Sequence, residues 1–176
     1  MSEIFDKISS EVLFSNPYWK YKLDKYRLPS GSIGDYHFID SRGSSLIIPE
    51  LDNHTFVMTN QFRYLNHKFS IEFPGGGLPE GVSFEDNVIK ELEEETGYIA
   101  HKLELLGEFN PFNGVTNEIC KVFLASELTK SKQKLDDTES ISIMKVDKND
   151  IFQLIKSNKI WDGMSISAYF LYHLKT

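Results

Sequence analysis

Glu72-Phe-Pro-Gly-Gly-Gly-Leu-Pro-Glu-Gly-Val-Ser-Phe-Glu-Asp-Asn-Val-Ile-Lys-Glu-Leu-Glu-Glu-Glu-Thr-Gly97 is the most informative stretch of the 176-residue chain, a glycine-rich loop running into a segment loaded with acid. From Phe84 to Thr96 a helix is expected. Ser83 is placed to cap its free N–H groups, Asp86 follows three residues later as in a capping box, and Gly97 supplies the C-terminal stop. At about 100° per residue, Glu91, Glu94 and Glu95 fall within an arc of roughly 100°, with Val88, Ile89 and Leu92 on the neighbouring arc. Three acids therefore share one face while an apolar stripe anchors the helix.

Like charges that close repel one another, and they sit badly against the negative end of a helix dipole. A solvated surface helix after an ordinary glycine turn is one reading of such a run. The other is a hard divalent cation, since magnesium combines a few carboxylates with waters and phosphate oxygens, and glutamates at i, i+3 and i+4 suit it. The three glycines favour the second reading. They let the backbone come close enough for a carbonyl, assigned here to Gly75, to join a metal shell, or for an N–H to meet a phosphate.

Working outward, Tyr18 to Ile39 alternates apolar with polar residues and breaks at Leu28 to Gly34, which reads as a hairpin. Further strands are expected at Ser45 to Ile48, Thr55 to Phe62, Ser70 to Phe73, Leu103 to Phe109, Ile119 to Ala125 and Ser140 to Val146. Two more helices are expected. One covers Lys148 to Ser157, with Phe152, Leu154 and Ile155 as its apolar side; the other covers Ser165 to Leu174, with Ile166, Tyr169, Phe170 and Leu174 at helical spacing. No repeat or linker interrupts the chain, so residues 1–176 read as one α+β domain, a mixed sheet with helices packed on it.

Composition narrows the function. The chain is 40% hydrophobic and 13% aromatic, with a formal charge of −7, which argues against long nucleic acids as partners. Its start lacks a signal-peptide pattern, and no apolar run approaches the roughly 20 residues that span a bilayer, so neither a membrane nor secretion is expected. Cys120 is the only cysteine, which excludes an internal disulfide and fits a reducing cytoplasm. The five histidines show no spacing that suggests zinc.

The quoted stretch resembles the Nudix box: Gly, five residues, Glu, seven residues, then Arg-Glu-apolar-any-Glu-Glu-any-Gly-apolar. Gly76, Glu91, Leu92, Glu94, Glu95 and Gly97 match in register. Val82 stands where the box has its first glutamate, with Glu80 two residues earlier, and Tyr98 takes the last apolar position. Lys90 replaces an arginine whose planar fork orients a ligand glutamate in the family and which lysine does not reproduce. The resemblance implies an α/β/α sandwich around a mixed sheet, with Mg2+ (or Mn2+) held by Glu91, Glu95 and Gly75 and assisted by Glu94.

Outside the box, Asn16 to Trp19, Leu28 to Gly31 and Asn60 to Tyr64 resemble the ADP-ribose and ADP-sugar pyrophosphatase branch. That resemblance implies hydrolysis of the diphosphate in a nucleoside diphosphate derivative. It also implies a homodimer in which the N-terminal strand region, about residues 1–45, is swapped to help form the partner's site. Arg63 is then expected to bind phosphate, as its fork suits. Trp19, with Tyr18 and Tyr36 as alternatives, is expected to stack on the base. The loop Pro111 to Glu118 would lie over the metal site. The branch draws its general base from the acidic loop Leu135 to Ser140, here Glu139 ahead of Asp137, while Glu94 is the alternative base. Rival readings are a nucleotide sensor with little turnover, motivated by Val82 and Lys90, and a hydrolase acting on NADH, a GDP-sugar or a dinucleoside polyphosphate.

Overall fold

The computed structural model describes residues 4–135 and 140–175. Its first three strands, β1 (Asp6–Ser15), β2 (Trp19–Arg27) and β3 (Ile33–Ser41), form an antiparallel sheet of their own in the order β1-β2-β3. The expected hairpin is β2–β3, closed around residues 28–32. Strand β1 has no counterpart among the expected strands. It is exposed along its whole length, and register shifts on either side of Ile8 and Leu13 interrupt its alternation of side chains.

Strands β4 (Ser44–Asp52), β5 (Thr55–Arg63), β6 (Lys68–Glu72), β7 (Gly75–Gly77), β8 (Tyr98–Phe109), β9 (Cys120–Lys130) and β10 (Ile141–Asp147) build a mixed sheet. Its order is β10-β5-β4-β9-β8, with β6 added on β5 and β7 on β4. The β4–β9 pair is parallel and the others are antiparallel. The triglycine, expected as loop, is the short strand β7.

Side-chain alternation in β4, β5 and β9 divides the core between the two faces of this sheet. Ile47, Val57, Phe123 and Ala125 face helix α1 (Phe84–Thr96), where they meet Val88 and Leu92. Leu46, Ile48, Phe56, Met58 and Val122 face the opposite way, toward α2 (Ile151–Lys156) and α3 (Gly163–Lys175). Each fully buried Val, Leu, Ile, Phe or Met side chain among these contributes about 1.5–3 kcal/mol. The result is the expected helix–sheet–helix sandwich.

Helix α1 begins and ends as expected. Ser83 Oγ accepts from the Asp86 N–H at 3.0 Å, and Gly97, at φ 64°, closes the helix in the left-handed region. Of the apolar sides expected for the other two helices, Leu154 and Ile155 of α2 pack against the core and Tyr169 of α3 is buried, but the remaining positions turn outward. Phe152, Phe170 and Leu174 are exposed, Ile166 is at the margin and Ile89 of α1 is exposed too. The buried face of α3 is Ser165, Ala168, Tyr169 and Tyr172. Ser165 faces inward, where its Oγ accepts the Phe73 N–H at 3.0 Å. Among the described residues no helix is long and apolar enough to cross a membrane.

Candidate active site

Strand β7 lies between β4 and α1. Its pairs Ser44↔Gly77, Ser45↔Gly76 and Leu46↔Gly75 are flanked by bonds from Ile47 N–H to Pro74 O and from Leu78 N–H to Gly43 O, each 2.9 Å. In an antiparallel pair, residues that exchange backbone bonds alternate with residues that do not. Gly75 is one of the latter, so its N–H and C=O turn away from β4. The N–H donates to Glu95 Oε2 at 3.2 Å. A side chain at Gly75 is excluded, because its Cβ would lie 2.3 Å from Ser45 O. One residue on, a Cβ at Gly76 would lie 2.6 Å from Glu91 Oε1. Glu91 and Glu95, one helical turn apart, thus press their carboxylates onto the backbone of two consecutive glycines.

This pair opens onto a cleft of about 680 Å³, lined also by Arg63, Arg42, Glu118 and Trp19. That size suits a ligand much larger than a single phosphate. Arg63 holds the Glu72 carboxylate with both Nε, at 2.9 Å, and Nη2. Glu72 is buried whereas the Arg63 side chain remains 45% exposed, so a buried anion fixes the fork at the cleft wall. Glu72 also raises the arginine's pKa above its ordinary value, against the effect of burial, and Asp162 and Glu95 add to the rise. Arg42 was not singled out from sequence. Pro17 O (2.7 Å) and Leu78 O (3.0 Å) hold its guanidinium, two carbonyls that only the tertiary fold brings together.

The remaining candidates divide. Trp19 and Tyr18 line the cleft of their own chain, whereas Tyr36 is not among its lining residues and donates to Gly114 O at 3.1 Å. Glu118 accepts from Ser44 Oγ at 2.6 Å. Glu80 is exposed and off the cleft wall. Glu94 is also off it: Lys90, one turn back, takes its carboxylate at 2.6 Å. Glu91 and Glu95 line the cleft, and Glu94, between them, turns to Lys90. Glu139 and Asp137 lie outside the described residues. The chain leading toward them is sewn to the C-terminal turn of α1, with Gln133 Nε2 donating to Glu95 O at 2.7 Å and the Lys134 N–H to Glu94 O at 2.8 Å. Cys120 is buried, which pushes its thiol up to about 12 and disfavours the thiolate.

Could this site hold a divalent metal? Among the described residues no three His, Cys, Asp or Glu side chains cluster closely enough to cage one. A hard cation with two carboxylates, a backbone carbonyl, water and phosphate oxygens does not need such a cage. Glu91, Glu95 and the outward-turned Gly75 carbonyl offer that donor set, so the residues fit.

The NUDIX domain model matches residues 41–163, from the end of β3 to the start of α3. An ADP-ribose pyrophosphatase of Bacillus subtilis (strain 168) is 31% identical over 170 residues, which cover 96% of this chain and 91% of that protein. A methanol dehydrogenase activator of Bacillus methanolicus is 28% identical over 172 residues, covering 96% and 93%. A crystal structure of an ADP compounds hydrolase superposes with a TM-score of 0.84 over 97% of this chain and 93% of that one; at 16% identity it shows a shared fold.

Proposed function

Because the chain belongs to the Nudix family, with the box matched on α1 and the glycine strand, we propose that it is a Nudix hydrolase that splits the diphosphate of ADP-ribose or a related ADP-sugar into AMP and a sugar phosphate. The observation that carries this reading is the apposition of Glu91 and Glu95 to Gly75 and Gly76 at the wall of a cleft that also presents Arg63 and Arg42. The substrate class is supported by the Bacillus subtilis relative, an ADP-ribose pyrophosphatase that aligns over nearly the whole chain.

In this reading Arg63 and Arg42 orient the negative diphosphate, and Glu72 keeps Arg63 from reorganising as charge shifts during the reaction. Water adds to one phosphorus, the bridging P–O bond breaks, and the released proton passes to Glu139, with Glu94 as the alternative acceptor. Glu91, Glu95 and the Gly75 carbonyl are the residues that would hold Mg2+, or Mn2+ in its place, which when bound supplies Lewis acidity toward the phosphate oxygens and the attacking water. Trp19, which lines the cleft, would stack on the base.

We further propose a homodimer in a reducing cytoplasm. Phe5, Val12, Phe14 and Ile33 expose large apolar surface on and beside the β1–β3 sheet, which a second copy would cover. The sole cysteine, a buried free thiol, suits a reducing compartment.

The test is release of AMP from ADP-ribose with and without millimolar magnesium, comparing the native chain with Glu95→Gln. Magnesium-dependent turnover lost in the variant supports the reading. Binding of ADP-ribose without turnover by the native chain would replace it with a nucleotide sensor, and faster turnover of NADH or a GDP-sugar would move the substrate class.

A further inference from the structure

Asn87 occupies a place where an uncharged apolar residue would cost less. It lies in the first half of α1, where asparagine is a mediocre helix former, and it is fully buried. Burying a carboxamide is unfavourable unless its polar atoms are bonded. Both hydrogens of Nδ2 have acceptors, Ser45 Oγ at 2.9 Å and Gly76 O at 3.3 Å, while Oδ1 has no partner among the described residues. The two acceptors also fix the orientation of the amide, because exchanging its ends would set Oδ1 against the Gly76 carbonyl.

Asn87, Glu91 and Glu95 are spaced i, i+4 and i+8 along one face of α1, and all three touch the same strand. Asn87 holds the Gly76 carbonyl, Glu91 packs on Gly76, and Glu95 takes the Gly75 N–H. Strand β7 is three glycines, with no side chains to set its register and the largest backbone freedom of any residue. What keeps its alternation must come from outside it. A carboxamide that holds Gly76 O on the β4 side keeps the polar groups of Gly75 facing the other way, toward Glu95.

We propose that Asn87 is a positioning residue that locks the glycine strand in the register presenting Gly75 to the cleft beside Glu91 and Glu95. Its role in catalysis rests on the proposed reading of that cleft, and it acts through the strand rather than on substrate. Ser45 is the anchor that ties the carboxamide to β4.

The experiment compares native protein with Asn87→Ala, Asn87→Asp and Ser45→Ala. It reads three quantities: hydrogen exchange at the Gly75 amide in metal-free protein, Mn2+ affinity by electron paramagnetic resonance, and kcat with KM for ADP-ribose. Asn87→Ala is expected to speed Gly75 exchange, weaken Mn2+ binding about 10-fold and lower kcat by a similar factor, with KM little changed. Asn87→Asp, which sets a carboxylate against the Gly76 carbonyl, is expected to do more, and Ser45→Ala less. A lower melting temperature with exchange, Mn2+ affinity and kcat all unchanged overturns the proposal and makes Asn87 a core filler. Should the Asn87 variants not fold, unchanged Gly75 exchange and Mn2+ affinity in Ser45→Ala overturns it equally. Failure of the native chain to bind Mn2+ or hydrolyse ADP-ribose removes the catalytic reading instead, and Gly75 exchange still decides whether Asn87 sets the strand.

Discussion

Glu91 and Glu95 lie on the face of α1 that meets the glycine strand, whereas Glu93 and Glu94, between them in sequence, are engaged elsewhere. Ser131 and Lys134 take the carboxylate of Glu93, and Lys90 takes that of Glu94. The first pair lies against a glycine backbone at the cleft wall; the second is turned to lysines and a hydroxyl away from it. An acidic run is therefore a mixture, and i, i+4 spacing toward a glycine backbone separates the candidate ligands from the solvated charges. On that division, the same Glu→Gln change has very different consequences at the four glutamates within five residues of helix.

The largest effect is expected at the first pair. Glu91→Gln and Glu95→Gln each keep the side-chain volume and remove a charge, and each should lower kcat on the order of 10³-fold while the fold, followed by circular dichroism, persists. Turnover within a few fold of native in both would collapse the distinction between the two pairs.

Gly76→Ala tests the same contact from the backbone side and should act next most strongly. Its methyl group would meet Glu91 Oε1 at 2.6 Å. Since a carboxylate at the end of a flexible chain can swing aside, the melting temperature should barely move, while displacement of Glu91 lowers kcat by about 10- to 100-fold. Gly75→Ala provides the contrast: its clash is with Ser45 backbone, so loss of stability is expected along with activity. Equal melting temperatures for the two alanine variants would show that the glycines are not distinguished by what they touch.

Glu94→Gln comes third. Turned toward Lys90, Glu94 is expected to change kcat by less than about 10-fold, whereas removing a general base costs roughly 10²–10⁴-fold. Paired rates for Glu94→Gln and Glu139→Gln therefore assign the proton acceptor, and a collapse in Glu94→Gln alone would give Glu94 a role its ion pair does not suggest.

How much of this could be read in the sequence follows from which interactions are local. The limits of α1, its Ser83 cap and its Gly97 stop depend on residues within a turn or two, and all three are where the sequence puts them. The hairpin of β2 and β3 is equally local. Strand β7 was not legible, because glycine has little strand propensity and only its pairing with β4, about 30 residues away, makes it a strand. Strand β1 was hidden by its own irregularities at Ile8 and Leu13. For α3 the apolar spacing pointed to Ile166, Tyr169, Phe170 and Leu174; Tyr169 is buried, but the others turn outward, and Ser165, which spacing of apolar residues does not reveal, faces inward to accept a hydrogen bond from Phe73. At the site, Glu91 and Glu95 came from the motif, whereas Arg42 depends on two carbonyls distant in sequence and Asn87 on the Gly76 carbonyl together with the distant Ser45 hydroxyl. A lone arginine or asparagine carries no such signal.

Glu93→Gln is expected to have the smallest effect, and its sign can be worked out. The Ser131 hydroxyl, donating at 2.6 Å, and then Lys134 hold the Glu93 carboxyl below its ordinary value of 4.5. A carboxyl whose pKa is depressed on folding contributes stability that is present above the unfolded pKa and is lost as pH falls through the folded one. Native protein should therefore melt slightly above Glu93→Gln at neutral pH, and the two melting curves should converge as pH falls below 4.5, with AMP release at neutral pH unchanged. Because the group is exposed, the gap is expected to be small and to shrink in salt. A gap that persists in acid would trace Glu93's contribution to shape rather than charge. A loss of turnover comparable with Glu95→Gln would place Glu93 in one functional array with the glutamates that flank the glycine strand, and the two faces of the helix would then have to be treated as one.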